Sequence, residues 1–452
     1  MRNLLLASAA AFGGLIVTAG GALAQPVKPV EPGSLVVHLN GYLQFSFAGY
    51  GSSFNNVTTS AGTFKLNPIS TEGDARIYSG FDAATTGGLA YGAQIELRAE
   101  ASDAGVGIGK TSGTGGSTGA GGIYVKRAYG YMGSTEGGFV RFGQTDSAFT
   151  LLQSGVVEAF GDGAEFNADG GVVNLLPTNA SPGNFVYADS SALYATDKVV
   201  YVSPKIAGFS ISGGYEPNSN GLKEGYGDCA SASTENAAET STVCGAESSS
   251  PLAGDIGKRR KNTVDAMLQY SVEMNGVLIK ASGGMIYGAP IDYTGEAVAA
   301  GKSALHFGYD NLEVYQGGAQ ATFAGLTVGA NVKGGQTLDS YAFKPKGTRD
   351  AFTYILGATY DIGPVVVGGS YFNGQTAGAY FPGATYGSDK LPVHKTLSEY
   401  GAAVGANLVI SKNASLFLQY LYGHRKQVGN SALNANGNAQ VQAIGAGATL
   451  KW

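Results

Sequence analysis

From Ala93 to Glu100 the chain reads AQIELRAE. Ala93, Ile95, Leu97 and Ala99 alternate with Gln94, Glu96, Arg98 and Glu100, which is the period of a β-strand with one apolar and one polar face. Such strict alternation of charge is hard to place inside a soluble core. It suits a closed membrane barrel, whose strands face lipid on one side and water on the other. The chain ends the same way. Ile444, Ala446, Ala448, Leu450 and Trp452 alternate with Gly445, Gly447, Thr449 and Lys451, and the only tryptophan is the last residue.

The 452 residues would allow two or three soluble domains, but the composition points elsewhere. Seventy-two glycines and 26 tyrosines, with only 13% charged residues, suit many strands, tight bends and interfacial rings. After residue 24 no run of about 18 apolar residues occurs, which excludes a helical membrane protein.

Residues 1–24 carry a basic start at Arg2, an apolar stretch and the small-x-small end Ala22-Leu23-Ala24, the pattern of a cleaved secretory signal. A membrane anchor is the competing reading. It is disfavoured by the polar, proline-containing sequence that follows at once (Gln25, Pro26, Pro29, Pro32). Residues 25–34 are expected to form a short periplasmic segment and 35–452 the barrel. Losing Arg2 takes the net charge from −5 to −6, which argues against a nucleic-acid partner. The two cysteines, Cys229 and Cys244, share one polar, acidic stretch. In an exported chain a disulfide is the expected pairing, and closing about 15 residues contributes roughly 3 kcal/mol. Metal binding is the weaker alternative, because no histidine is near.

Alternating segments recur near 35–50, 74–85, 89–101, 123–133, 138–145, 197–203, 208–216, 262–273, 276–287, 311–323, 325–335, 351–361, 364–373, 396–411, 414–427 and 438–452. That is 16 strands, joined by short and long connections in turn, an arrangement that predicts a bacterial outer-membrane barrel with both chain ends in the periplasm. The last strand must close against the first. A terminal aromatic residue at the membrane edge anchors it, and Trp452 resembles the C-terminal signal read by the barrel-assembly machinery.

Three stretches resemble the general porins of Gram-negative bacteria: YVKRAYGYMGSTEGGFVRFGQTDSAF (124–149), DKVVYVSPKIAGFSISGGY (197–215) and EAFGDGAEF (158–166). The resemblance implies a homotrimeric, 16-stranded antiparallel transmembrane β-barrel in the outer membrane, among lipids and lipopolysaccharide, with an inward-folded third loop and no enzymatic activity or cofactor. The chain departs from the family pattern at Lys126, Gln144 and Tyr194, where arginine is usual, and at Asp197-Lys198, where Asn-Ser is usual.

The candidate constriction loop is 146–196. It carries Glu158, Asp162, Glu165 and Asp169, and more apolar residues (Phe149, Leu151, Leu152, Phe160, Phe166, Leu175, Leu176) than a freely solvated loop would hold. Parity turns Arg76, Arg98, Lys126 and Arg141 to the lumen as the opposed basic wall, or as lumen packing paired with Glu96, Glu100 or Asp82. The same parity sends Arg127 outward, to a subunit contact, a paired neighbour or the membrane edge. Lys258–Lys261 is a basic cluster that would meet lipopolysaccharide phosphates or plain solvent. His38, His306, His394 and His424 are scattered and show no metal spacing.

The expected function is passive diffusion of small hydrophilic solutes and ions through a weakly cation-selective pore. A substrate-selective nutrient channel is the first rival, marked by an aromatic track in the lumen. A barrel lipase would need a Ser-His pair on the outer wall, and an adhesin barrel would need a plugged lumen.

Overall fold

The computed structural model describes residues 31–53, 56–59, 62–65, 67–100, 122–163, 166, 171–175, 196–218, 260–290, 309–338, 341–344, 346–377, 396–428 and 438–452. Its strands in chain order begin with β1 (Leu35–Ser52), β2 (Asn56–Thr59), β3 (Gly62–Lys65), β4 (Ile69–Ala84), β5 (Ala90–Glu100), β6 (Gly122–Ser134), β7 (Gly138–Gln144), β8 (Asp197–Val202) and β9 (Phe209–Asn218). They continue with β10 (Arg260–Met274), β11 (Val277–Pro290), β12 (Leu312–Phe323), β13 (Leu326–Gln336), β14 (Ala351–Ile362), β15 (Val365–Thr376), β16 (Thr396–Ser411), β17 (Ala414–Val428) and β18 (Asn438–Lys451). β2 and β3 form a separate hairpin within the first long connection; the other strands close into one barrel in sequence order. Closure is antiparallel between β1 and β18, with Phe45 opposite Ala448 and Phe47 opposite Ala446. The 16 segments expected from alternation are the 16 barrel strands.

Short turns follow from local chemistry. Ala207-Gly208, Asn275-Gly276 and Ala324-Gly325 each place two consecutive residues at positive φ. That matches the two-residue hairpin turn whose twist fits the flanking strands.

The barrel is inside-out relative to a soluble protein. Glu96, Glu399 and Gln419 on the inner face are each 1% exposed, whereas Val37 is 72% and Ile444 59% exposed on the outer face. The outer apolar belt finds its partner in lipid, and the inner polar groups find theirs in one another and in the loop folded among them.

One irregularity reverses an expectation. The β5–β6 register slips so that Glu96 faces Arg127 and Leu97 faces Val125. Lys126 is the extra residue of a bulge, and a bulge re-aims the side chains that follow it. Arg127 therefore points into the barrel rather than outward, and is 5% exposed. Its charge meets carboxylates instead of lipid.

Candidate functional site

The connection after β7 folds into the lumen. Its first residue beyond Thr145, Asp146, is gripped by Arg127, with Nη2 at 2.8 Å and Nε at 3.0 Å from Oδ1. A one-turn helix, Ala148–Leu151, follows. Ser147 caps it, and Asp265 on β10 accepts from both the Ser147 hydroxyl and the Phe149 N–H, the latter at 2.7 Å. Phe149 then drops into a buried cluster with Met267, Ile286, Leu312 and Val314 of the wall and Tyr341 and Phe343 of the connection after β13.

From there the loop runs along the inner wall, held by wall amides and the Ser282 hydroxyl. Gln269 donates to the Leu152 carbonyl at 2.9 Å and Asn331 to the Ser154 carbonyl at 2.8 Å. Ser282 accepts from the Ser154 N–H at 2.9 Å, and Gln320 from the Gly155 N–H at 3.2 Å. Farther round, Asn407 donates to the Gly161 carbonyl at 3.2 Å, and Gln419 accepts from the Asp162 N–H at 2.7 Å. Gln44 on β1 donates to the Asp162 carbonyl at 3.3 Å. Phe160, Phe166, Val172 and Val173 are buried with Phe372, Phe417 and Leu421. The apolar content of this segment is thereby used against the wall.

The expected acidic residues have structural partners. Glu158, 3% exposed, accepts from the Phe166 N–H at 3.1 Å. Asp162 accepts from the Val172 N–H at 2.7 Å and from Gln419 at 3.0 Å. Both carboxylates brace the turn of the loop itself. Glu165 and Asp169 lie outside the described residues.

The wall of β4 to β7 carries the basic groups. Arg76 and Arg98 are directly opposite in the β4–β5 register. Arg76 bonds Asp74 and lies over the Tyr42 ring, 4.9 Å from its centroid. Arg98 Nε is 2.6 Å from Glu96, which also bonds Arg127. Lys126 sits 5.9 Å from the Tyr124 ring centroid and Arg141 5.4 Å from that of Tyr129. Arg141 Nη1 has no hydrogen-bond partner among the described residues. The pairing of Arg98 with Glu96 is one foreseen from the sequence; Asp74 and Asp146 were not singled out. Asp74 stands two residues from Arg76 on the same face, a signal present in the chain. Arg127 was hidden by the bulge.

Two further cations were also missed. Lys333 on β13 points under the loop, with Nζ 3.0 Å from the Tyr341 hydroxyl and 5.9 Å from the Phe149 ring centroid. Lys198 joins Thr196, Glu216 and Arg260 in a buried network beside the base of the loop. Arg260 is thus withdrawn from the basic cluster expected to meet lipopolysaccharide phosphates or solvent: it is 2% exposed and turned onto Glu216. Lys258 and Arg259 lie outside the described residues, as do Cys229 and Cys244.

A closed barrel of 16 strands, with a loop fastened along its inner wall, defines a membrane channel. The Gram-negative porin family model matches residues 7–449, and the chain belongs to that family. It is an outer-membrane porin. Among solved structures it is similar to the anion-selective porin from Comamonas acidovorans, at 15% identity, covering 93% of this chain and 100% of that one with a TM-score of 0.52. It is also similar to Salmonella typhi OmpF solved with daunomycin, at 13% identity, covering 92% and 97% of the two chains with a TM-score of 0.51. At these identities the likeness is one of fold. A search of curated proteins finds no match.

Proposed function

We propose that this porin is a passive diffusion channel for small hydrophilic solutes and ions, weakly selective for cations. The observation that carries the reading is the partnering of the basic wall. Arg76, Arg98 and Arg127 each face a carboxylate on their own side, namely Asp74, Glu96 and Asp146. Much of the positive field is cancelled where it arises, and the loop adds Glu158, Asp162, Glu165 and Asp169. Fixed charges in a narrow lumen act strongly on passing ions. The test is the reversal potential of single channels in a planar bilayer across a salt gradient. A small potential of cation-selective sign is expected; an anion-selective sign overturns the selectivity.

A substrate-selective channel is supported by one feature, the lumen-side tyrosines Tyr42, Tyr124 and Tyr129 stacked with Arg76, Lys126 and Arg141. Concentration-dependent block of the current by one solute class would favour it.

The same proposal includes a trimer, cleavage near Gln25 and a Cys229–Cys244 disulfide. Large and small outward residues, Phe45 and Phe47 beside Ala446 and Ala448, pair across the closing seam and suit interlocking subunits. Mass spectrometry of the unreduced, digested porin should show the two cysteine peptides linked and the mature N-terminus; two free thiols would remove the disulfide.

A further inference from the structure

We infer that the bore of this channel is set by a row of glycines on the inner wall behind the loop, an inference that rests on the diffusion-channel reading above. Gly318 on β12, Gly357 on β14, Gly368 on β15 and Gly445 on β18 stand under successive parts of the loop. A Cβ on Gly318 would lie 2.0 Å from the Ser154 carbonyl oxygen, and one on Gly357 2.4 Å from that of Val157. At Gly368 it would meet the Phe160 ring at 2.6 Å, and at Gly445 the Val172 Cγ2 at 2.3 Å. The fit is reciprocal, because a Cβ on Gly155 of the loop would lie 2.0 Å from the Ala330 carbonyl oxygen. Carbon atoms settle at about 3.5–4 Å from their neighbours. Any side chain at these positions therefore lifts the loop toward the pore axis.

On β12 the crowding is confined to the face under the loop. Gly317, next to Gly318 but facing outward, would place its Cβ 4.0 Å from the nearest atom, the Ser282 carbonyl oxygen. Strand bending alone would not distinguish the two. Where the glycines remove the side chain, Ser282, Gln320 and Asn331 supply the hydrogen bonds that hold Ser154 and Gly155 down. The absent Cβ atoms and these wall side chains together fix how far the loop projects. The wall glycines are thus positioning residues for the size limit of the pore, acting through the loop rather than on the solute.

The experiment compares Gly318→Ala with Gly317→Ala in the intact porin, after both are shown to fold by the heat-dependent shift of their electrophoretic mobility. Hydrogen exchange at the Ser154 and Gly155 amides reads the seat of the loop whether or not the channel conducts. It should speed up roughly tenfold in Gly318→Ala, the factor expected for one lost hydrogen bond, and stay at the wild-type rate in Gly317→Ala. Single-channel conductance should fall in Gly318→Ala, where the loop projects farther into the lumen, and stay at the wild-type value in Gly317→Ala. Gly445→Ala should behave like Gly318→Ala and regain wild-type conductance when Val172→Ala is added. Equal exchange and conductance in Gly317→Ala and Gly318→Ala would overturn the inference, as would failure of the Val172→Ala rescue. If Gly318→Ala fails to fold, the Gly445→Ala pair decides the question alone. A wild-type porin that does not conduct would sink the diffusion reading instead, with the exchange data still deciding the glycine seat.

Discussion

Arg127 and Asp146 form a two-nitrogen clamp, with Nη2 2.8 Å and Nε 3.0 Å from the same carboxylate oxygen, at the point where the loop leaves the wall. Both side chains are nearly excluded from water, and Arg127 also bonds Glu96. The fork geometry of arginine suits this use and lysine cannot copy it. Truncating Arg127 to Ala leaves Glu96 and Asp146 without this cation in a buried setting, at a cost of about 3–5 kcal/mol. Arg127→Ala should lower the thermal unfolding midpoint and add flicker to single-channel records. Arg127→Lys should recover only part of either. An unchanged midpoint in the alanine variant would show the clamp to be dispensable.

The bulge that makes this clamp also marks the limit of what alternation can convey. Sixteen strands were legible because period two persists through every span, even where boundaries drift by a few residues. A single inserted residue, Lys126, leaves the local pattern looking regular while reversing the direction of Arg127. The inward course of the loop was legible from Phe149, Phe160 and Phe166, since a solvated segment has no use for them. The partners of Glu158 and Asp162 were not legible, because they depend on a turn that returns through Phe166 and Val172. Nor did sequence separate the glycines beneath the loop from those that merely bend strands; only the register does that.

Trp452 closes the barrel with its backbone and covers it with its ring. Its carbonyl accepts from the Gly41 N–H at 3.1 Å, and its own N–H donates to the Gly41 carbonyl at 3.2 Å. The indole occupies the space above Gly41, where an added Cβ would lie 1.9 Å from the ring. Gly41→Val should therefore impair closure much as Trp452→Ala does. The expected reading is a lower yield of heat-modifiable, folded porin in outer membranes for both variants. Wild-type yields for Gly41→Val would separate the terminal ring from barrel closure.

Lys344 pins the connection after β13. It bonds Asp310 and lies 3.1 Å from Asp350, while the Asp310 N–H donates to its carbonyl at 3.0 Å. Burial disfavours its charge, yet the hydrogen bonds to Asp310 and Asp350 prevail and raise its pKa above the ordinary lysine value. A raised lysine pKa contributes stability that is complete below the unfolded-state value of about 10.4 and is lost as pH rises through the folded value. The clamp should thus hold through neutral pH and weaken only in strong alkali. Tyr341 and Phe343 of the same segment pack on Phe149, so the loosening should reach the constriction. Lys344→Met should raise the hydrogen-exchange rate near Tyr341 at pH 7 above that of the wild type at the same pH. Equal exchange in the two proteins at pH 7 would count against this coupling.

The loop carboxylates should govern the sign of ion selectivity. Glu158 and Asp162 are engaged by backbone N–H groups, which hold them in place. Gln and Asn keep an acceptor at each position, so the double variant Glu158→Gln with Asp162→Asn removes two negative charges while preserving the Phe166 and Val172 bonds. Its reversal potential in a salt gradient should move toward anions. Arg76→Gln should move it the other way, because Asp74 then loses its neutralising partner. Both shifts should shrink at about 1 M salt, where the screening length falls to about 3 Å. If the double variant keeps the wild-type reversal potential at low salt, these carboxylates brace the loop without acting on the ions that pass it.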